Sequence, residues 1–335
     1  MNEHKPSFEK INYSLRVAKN IERKMIVESL PRLKEFNSLD NYTYIGFGSP
    51  FFTDFILFHK QLGIKKLISI EKEEEKKERF EFNKPFNSIQ MIYKHSTHAL
   101  QNDINHQDKK IIWLDYDYQL DYSVLIDVEE IAKKSTSGDM LLITLNANAN
   151  QSLSNSDTSE AKKIKILNKF KEKFSFKDED GEIFDFKEFI NPSISYMDIE
   201  SWGYSKECKI IISNLVEDAL KKRNLAFSEN LKFKIIYNFN YSDGADMLTV
   251  GYIFYDNEDE EKLNNCNFDN FSYCKDENQP YLITAPKLTL KELHHIDYYL
   301  PDNLSSMPDI KIDEDDLEMY EKIYRYYPSF IEGVR

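Results

Sequence analysis

Glycine and proline are scarce in this chain, 9 and 10 among 335 residues. So few leave little room for long flexible linkers and favour continuous secondary structure. Cysteine is rarer still: three residues, at 208, 266 and 274, have neither zinc spacing nor an even count. A disulfide scaffold is excluded as a reading, and a reducing cytoplasm is the expected setting. No apolar run approaches the ~20 residues of a membrane helix, and the polar opening MNEHKPSFEK does not read as a signal peptide. No G-x-x-x-x-G-K-[ST] occurs, which removes a P-loop. Positive charge is also short. The 44 basic against 58 acidic residues give a net charge of −14, which disfavours broad contact with nucleic acid while leaving a local basic groove open.

What is present is an abundance of aromatic residues, 21 Tyr and 23 Phe, and a regular alternation of apolar runs with amphipathic stretches. Residues 10–36 read as a helix with Leu15, Ala18, Ile21, Met25, Val27 and Leu30 along one stripe. YTYIGFG (42–48) reads as a buried strand stopping at Gly46. Pro50 suits the first turn of the next helix, whose core face is Phe51, Phe55, Phe58 and Leu62, closed by Gly63. KKLISIEK (65–72), SIQMIYKHS (88–96), KIIWLDYD (110–117) and DMLLITLNAN (139–148) supply four more strands. Glu73–Phe82 and SVLIDVEEIAKKS (123–135) are helical. Continuous apolar strands alternating with helices indicate a parallel sheet covered on both faces.

After residue 150 the pattern changes. A polar Ser/Asn loop, a Lys-rich helix and the irregular FSFKDEDGEIFDF fill 151–195, and a helix follows at about 208–223. LKFKIIYNFNY (231–241) and ADMLTVGYIFYD (245–256), joined by SDG, form the clearest hairpin. Helices are expected at 288–299 and 312–326. The division is an N-terminal helical segment (1–41), an α/β core (42–260) with an insertion at about 151–205, and a C-terminal extension (261–335).

Gly46 and Gly48 sit between the first strand and its helix, where backbone N–H groups face a ligand and glycine permits unusual φ values. Glu71 ends the neighbouring strand on the ligand-binding edge, where a carboxylate can accept both ribose hydroxyls. A lone G-x-G is also what a tight turn contains; the order strand, loop, helix, strand, Glu favours binding. Phe51 stands where a dinucleotide site needs a third glycine, so a ligand without a pyrophosphate fits better.

The succession YIGFGS, LISIEK, YKHSTHAL, WLDYD and LLITLNA, closed by the late hairpin, resembles a class I S-adenosylmethionine-dependent methyltransferase. More narrowly, it is similar to bacterial proteins described as “putative O-methyltransferases”. The resemblance covers 42–150 and, in outline, 231–256. It implies a Rossmann-like, mostly parallel sheet flanked by helices and closed by an antiparallel hairpin. It further implies that Gly46, Phe47, Gly48 and Ser49 face the methionine part of the cofactor. Glu71, with Lys72 beside it, holds the ribose; His95 and Ser96 flank adenine; Asp115 lies near the sulfonium and the acceptor. The amino-methyltransferase motif [DN]PP[YF] is absent at 115–118, where the chain reads DYDY, so the acceptor atom, O or N, stays open.

Asp115 and Asp117 fall on one side of an extended segment, with Tyr116 pointing away, and two nearby carboxylates can raise one pKa and supply a base. Asn146 and Asn148 end the next strand. Asp115, Asp117 and Asn146 are faintly similar to the ligands of magnesium-dependent O-methyltransferases, but that family's Asp-Asn pair is missing and no metal is expected. Arg16, Lys19 and Arg23 share a helix face suited to the methionine carboxylate or an anionic substrate; a solvated face balanced by Glu22 is the plainer alternative. His294, His295 and Asp297 read as structural, and YEKIYRYYPSF as a packing or dimer element. The leading expectation is methyl transfer to an unidentified acceptor. The rivals are base methylation of nucleic acid or tRNA, which needs 16–23 and Lys162, Lys163 and Lys165 in one groove, and a non-catalytic cofactor-binding sensor or assembly subunit.

Overall fold

The computed structural model describes residues 16–148, 159–178, 181–274, 279–302, 304–308 and 310–328. Five parallel strands alternate with helices: β1 (Thr43–Gly46), β2 (Lys66–Glu71), β3 (Ile89–Tyr93), β4 (Lys110–Asp115) and β5 (Met140–Asn146). Helix α1 (Val17–Ser29) precedes them, and α2 (Thr53–Leu62), α3 (Lys77–Asn83), α4 (Ser96–Asn102) and α5 (Tyr122–Lys134) connect them. Next come α6 (Glu160–Glu172), a separate small hairpin of β6 (Ser175–Lys177) and β7 (Ile183–Asp185), and the 26-residue α7 (Trp202–Phe227). The long hairpin of β8 (Lys232–Ser242) and β9 (Asp246–Tyr255) joins the main sheet, β9 running antiparallel to β5. The extension supplies α8 (Glu260–Asn265), β10 (Tyr281–Ile283), α9 (Leu290–Tyr299) and α10 (Glu314–Ile323).

The eight strands lie in the order β3-β2-β1-β4-β5-β9-β8-β10. The expected mixed sheet, closed by the late hairpin, is therefore present, with β10 as a further edge strand. The winding reverses between β1 and β4, and in open sheets of this kind the crevice outside the strands' carboxyl ends is where ligands bind.

Each face of the sheet buries its own core. One, with Ile45, Ile112, Leu114 and Ile143, packs under α4, α5 and α7. The other, with Tyr44, Trp113 and Leu142, packs under α1 and α2 and takes in Leu263, Phe268, Tyr273, Ile323 and Tyr326 of the extension. The boundaries near 41 and 260 thus mark changes of connectivity, while the apolar residues on either side share one core.

Several local expectations need correction. The first helix is shorter than 10–36: residues 10–15, with Leu15, lie outside the described residues, and after Ser29 the chain tightens into a 3-10 turn at Leu30–Glu35. Pro31 causes this, since it has no N–H to continue the α-helical ladder. Pro50 lies in a turn ahead of α2 rather than in its first turn, and Phe52, not Phe51, is the buried residue there. FSFKDEDGEIFDF forms the β6–β7 hairpin, its Glu179 and Asp180 outside the described residues; so are 151–158 of the polar loop. In the tail, Tyr326 packs inside the chain: its hydroxyl and the Arg325 guanidinium both bond Glu28 of α1, joined by Tyr273 at 3.0 Å. Ser329 and Phe330 of that segment are outside the described residues.

Away from the crevice, β4 begins on a fully buried ion pair, Lys110 Nζ to Asp139 Oδ2. Asp139 also accepts the Lys110 N–H (2.9 Å) and the Thr136 N–H (2.7 Å). Removing one partner of a buried pair leaves an uncompensated charge. Lys110→Met should therefore destabilise the fold by about 3–5 kcal/mol in urea unfolding. Lys110→Met/Asp139→Asn should recover part of that loss.

Candidate functional site

Period-two alternation decides which residues reach the crevice on the α1/α2 face. Tyr44 and Gly46, Ser69 and Glu71, Trp113 and Asp115, Thr144 and Asn146 fall on that face, in register across β1, β2, β4 and β5.

Gly46 and Gly48 are required by crowding rather than by unusual φ. A Cβ on Gly46 would lie 2.8 Å from the Tyr44 hydroxyl and 2.9 Å from the Trp113 carbonyl oxygen. On Gly48 it would lie 2.6 Å from Ser69 Oγ and 2.7 Å from the Phe52 ring. The left-handed positions fall instead on Ser49 (φ 48°) and Phe52 (φ 46°). The turn is held by Phe52 N–H donating to the Gly48 carbonyl (2.9 Å). Gly48 N–H donates to Ser69 Oγ (3.1 Å) and Ser49 N–H to Glu71 Oε1 (2.8 Å). Phe47 packs edge-on against Tyr116 at 5.3 Å.

Glu71 is half-buried at the end of β2, and burial pushes its carboxyl up to about 7 although the Ser49 and Gly48 N–H groups and the Ser69 hydroxyl favour its charged form. Lys72 and His95 are exposed. Ser96 is buried and donates to Asp127 of α5, which also accepts from Thr97 and from Tyr116 (2.7 Å). Burial raises the Asp127 carboxyl above its usual range, offset in part by these three hydroxyls. Sequence reasoning missed Asp127; the only signal was an acid within the apolar stripe of SVLIDVEEIAKKS.

Around Asp115 the structure assembles a buried polar cluster. Lys19 Nζ is fully enclosed, 2.9 Å from Glu22 Oε2, 3.2 Å from Asp115 Oδ2 and 3.2 Å from Thr144 Oγ1, with the Trp113 ring centroid at 4.5 Å. Thr144 also accepts from Trp113 Nε1 (3.0 Å) and bonds Thr249 (2.7 Å). Arg23 pairs with Asp54, and Arg16 lies 3.9 Å from Asp243. Burial raises the Glu22 carboxyl, offset in part by Lys19 and the Thr249 hydroxyl.

The basic face of α1 is thus neither solvated nor a surface groove. Lys19 and Arg23 are enclosed, so they do not join Lys162, Lys163 and Lys165 in a track for nucleic acid. Lys19 touches Asp115 rather than standing open to a substrate, and Arg16 is set beside Asp243. Asp117 is exposed, apart from the cluster. Asn146 is buried and accepts the Asn148 N–H (2.9 Å), so its carbonyl shapes its own loop. A groove of 580 Å³ between α7 and the start of β8, lined by Ile210, Glu217, Lys221, Lys232 and Tyr255, lies at the other end of the strands and belongs to a different surface.

The sheet, reversing at β1 and carrying the antiparallel β8–β9 hairpin beside β5, is a Rossmann-like methyltransferase sheet. A family model described as “Putative O-methyltransferase” matches residues 11–334, and the chain belongs to that family. Among solved structures, it is similar to Trm1 from Pyrococcus horikoshii in complex with S-adenosyl-L-methionine, at 9% identity and TM-score 0.42, over 73% of this chain and 58% of that one. It is also similar to an rRNA methylase from Streptococcus thermophilus (9%, TM-score 0.32, 69% and 93% of the two chains). A third is an O-methyltransferase family protein from Burkholderia thailandensis (12%, TM-score 0.30, 69% and 57%). The chain thus spans little more than half the length of the Trm1 chain. No curated protein matches it.

The raised Glu71 carboxyl has a pH signature. Between the ordinary carboxylate range and about pH 7 the native state keeps a proton that the unfolded chain has released. Glu71's contribution to stability is therefore present at low pH and lost as pH rises through 7. Glu71→Gln should flatten the fall in unfolding free energy between pH 5 and 8, read by denaturant titration at each pH.

Proposed function

We propose that the chain is a methyltransferase that uses S-adenosylmethionine to methylate an oxygen or nitrogen of an unidentified acceptor. The observation that carries this is the Glu71–Ser49 contact, which sets a polar carboxyl and a glycine-bounded loop side by side at the point where the sheet reverses. The residues present fit the cofactor. Glu71 takes the ribose hydroxyls, the 46–49 backbone lines the amino-acid part, and the α4 start around His95 and Ser96 borders the adenine. Phe52 fills the space over Gly48 that a pyrophosphate would need. Phe51, expected to do this from its spacing, is only half-buried in the turn.

When bound, the cofactor supplies an electrophilic methyl group on sulfur. This chain's own residues do the rest: Asp115, fixed by Lys19, presents a carboxylate beside the reacting end, and α1 with the β8–β9 hairpin walls the site from water. Asp117 is proposed only for the rim, and Asn146 for shaping the loop after β5. The three cysteines are unpaired and buried, which supports a reducing, cytoplasmic setting. Among the described residues no helix is long and apolar enough to cross a membrane.

Isothermal titration with S-adenosylmethionine tests the premise. Binding is expected, and Glu71→Ala should weaken it about 100-fold, since hydrogen bonds to a charged group contribute about 1.5–3 kcal/mol each. A well-folded protein that does not bind, or a Glu71→Ala variant with unchanged affinity, would sink the proposal.

A further inference from the structure

The polar cluster under α1 has more in it than the proposed reaction uses. It holds four carboxylates, Glu22, Asp54, Asp115 and Asp243, against three cations, Arg16, Lys19 and Arg23. Among the described residues Lys19 alone serves two carboxylates, Glu22 and Asp115, and burial favours the neutral form of Glu22. Two fully buried side chains face this cluster with polar atoms that no described residue satisfies: Glu22 Oε1 and the Tyr241 hydroxyl. The phenol of Tyr241 lies within electrostatic reach of Glu22, Asp115, Arg16 and Arg23. Among the described residues Asn20 Oδ1 and, on the donor side, Arg23 Nη1 are likewise without a partner. Buried polar atoms are almost always paired, so the unpaired oxygens of Glu22 and Tyr241 mark the place of a missing donor.

The position assigns the donor to the second reactant. Neighbouring strands are roughly 4.8 Å apart, which puts β4 roughly 10 Å from the Glu71 strand and β8, with Tyr241, roughly 24 Å from it. A ligand anchored at Glu71 with its reacting end at Asp115 leaves the β5–β9–β8 side to the acceptor. Access is at Asp115 and Asp243, whose side chains are 17% and 12% exposed.

We propose that the cluster on the β5–β9–β8 side of Asp115 is the acceptor subsite and that it receives the ammonium group of an amine. The assignment to the acceptor depends on the methyltransferase reading; the choice of an ammonium depends only on the unpartnered groups. An ammonium offers three donors, matching Glu22 Oε1, the Tyr241 oxygen and Asp115, and its charge would favour the ionised form of Glu22. Trp113 and Tyr241 give aromatic walls suited to a cation. Each basic side chain of the cluster already faces a carboxylate, which leaves an anionic acceptor only Arg23 Nη1 among the described residues.

The test uses full-length protein saturated with S-adenosylhomocysteine and two probes of equal shape, 2-phenylethylamine and 2-phenylethanol, titrated by ligand-observed NMR. The amine should bind at least tenfold more tightly than the alcohol. Glu22→Gln should abolish that preference and Tyr241→Phe reduce it several-fold, both with S-adenosylhomocysteine affinity unchanged. Equal binding of the two probes, or an amine preference that survives Glu22→Gln in a folded protein, overturns the proposal. So does a Glu22→Gln variant that weakens S-adenosylhomocysteine but not methylthioadenosine, which lacks the amino-acid end; the ammonium would then be the cofactor's own. Failure of S-adenosylhomocysteine to bind at all strikes the methyltransferase reading instead. In that case the probes, titrated into the free protein, still decide whether the cluster takes an ammonium.

Discussion

A lysine ammonium with no access to water has to find every partner inside the protein, and Lys19 does so across three elements at once. Its three donors meet Glu22 one turn further along α1, Asp115 at the end of β4 and Thr144 on β5, and its charge lies over the Trp113 ring. Desolvating an ammonium costs several kcal/mol, which such close carboxylates offset only when geometry is good. The consequence is mutual: α1 cannot shift without stranding the charge, and Asp115 cannot turn away from the crevice without losing its partner. The helix that precedes the sheet in sequence is therefore part of the wall of the candidate site.

The same helix is held from its other end. Glu28, near the α1 terminus, gathers the Tyr273 and Tyr326 hydroxyls and the Arg325 guanidinium, and these contacts favour its charged form. Lys24 adds a bond to the Tyr327 carbonyl at 3.3 Å. At the N-terminal end, Asp243 of the β8–β9 turn accepts the Lys19 N–H at 2.8 Å. The segments outside the alternating core thus act together: extension and hairpin hold α1, and α1 holds Asp115. Burial of Tyr273, Ile323 and Tyr326 in the core of the α1 face supplies the apolar part of that hold.

The alternating core was legible because each of its strands is a continuous apolar run bounded by polar or turn residues, and parallel strands covered on both faces require that pattern. Glu71 was legible for the same reason: it is the first charge after LISI. The polar cluster was not. Lys19 and Glu22 stand three apart on α1, a spacing that usually reads as a solvated ion pair. Only the contacts of the whole fold show that this face, shared with Ile21, Met25 and Ile26, points inward. Asp127 was hidden for a related reason, since its partners Ser96, Thr97 and Tyr116 lie 31, 30 and 11 residues away. Long-range polar pairing leaves no periodic trace. Phe51 and Phe52 were exchanged because the turn after Gly48 delays the helix to Thr53, three residues beyond Pro50.

The scarcity of glycine returns here as a physical fact about the loop. The two glycines of GFGSPFF stand where a Cβ would collide with neighbours, while the left-handed conformations beside them fall on Ser49 and Phe52. A non-glycine residue in that region costs about 1–2 kcal/mol. Two within four residues persist only where the surroundings over-determine them. The surroundings do so: Glu71 holds Ser49, Ser69 holds Gly48, and the Phe52 ring is buried against Gly48 and Phe55. A loop fixed in this way keeps its backbone conformation before any ligand arrives. Such pre-organisation lowers the ordering cost of binding. A pair of flexible glycines at 49 and 52 would satisfy φ more cheaply but would leave that cost to be met on each encounter.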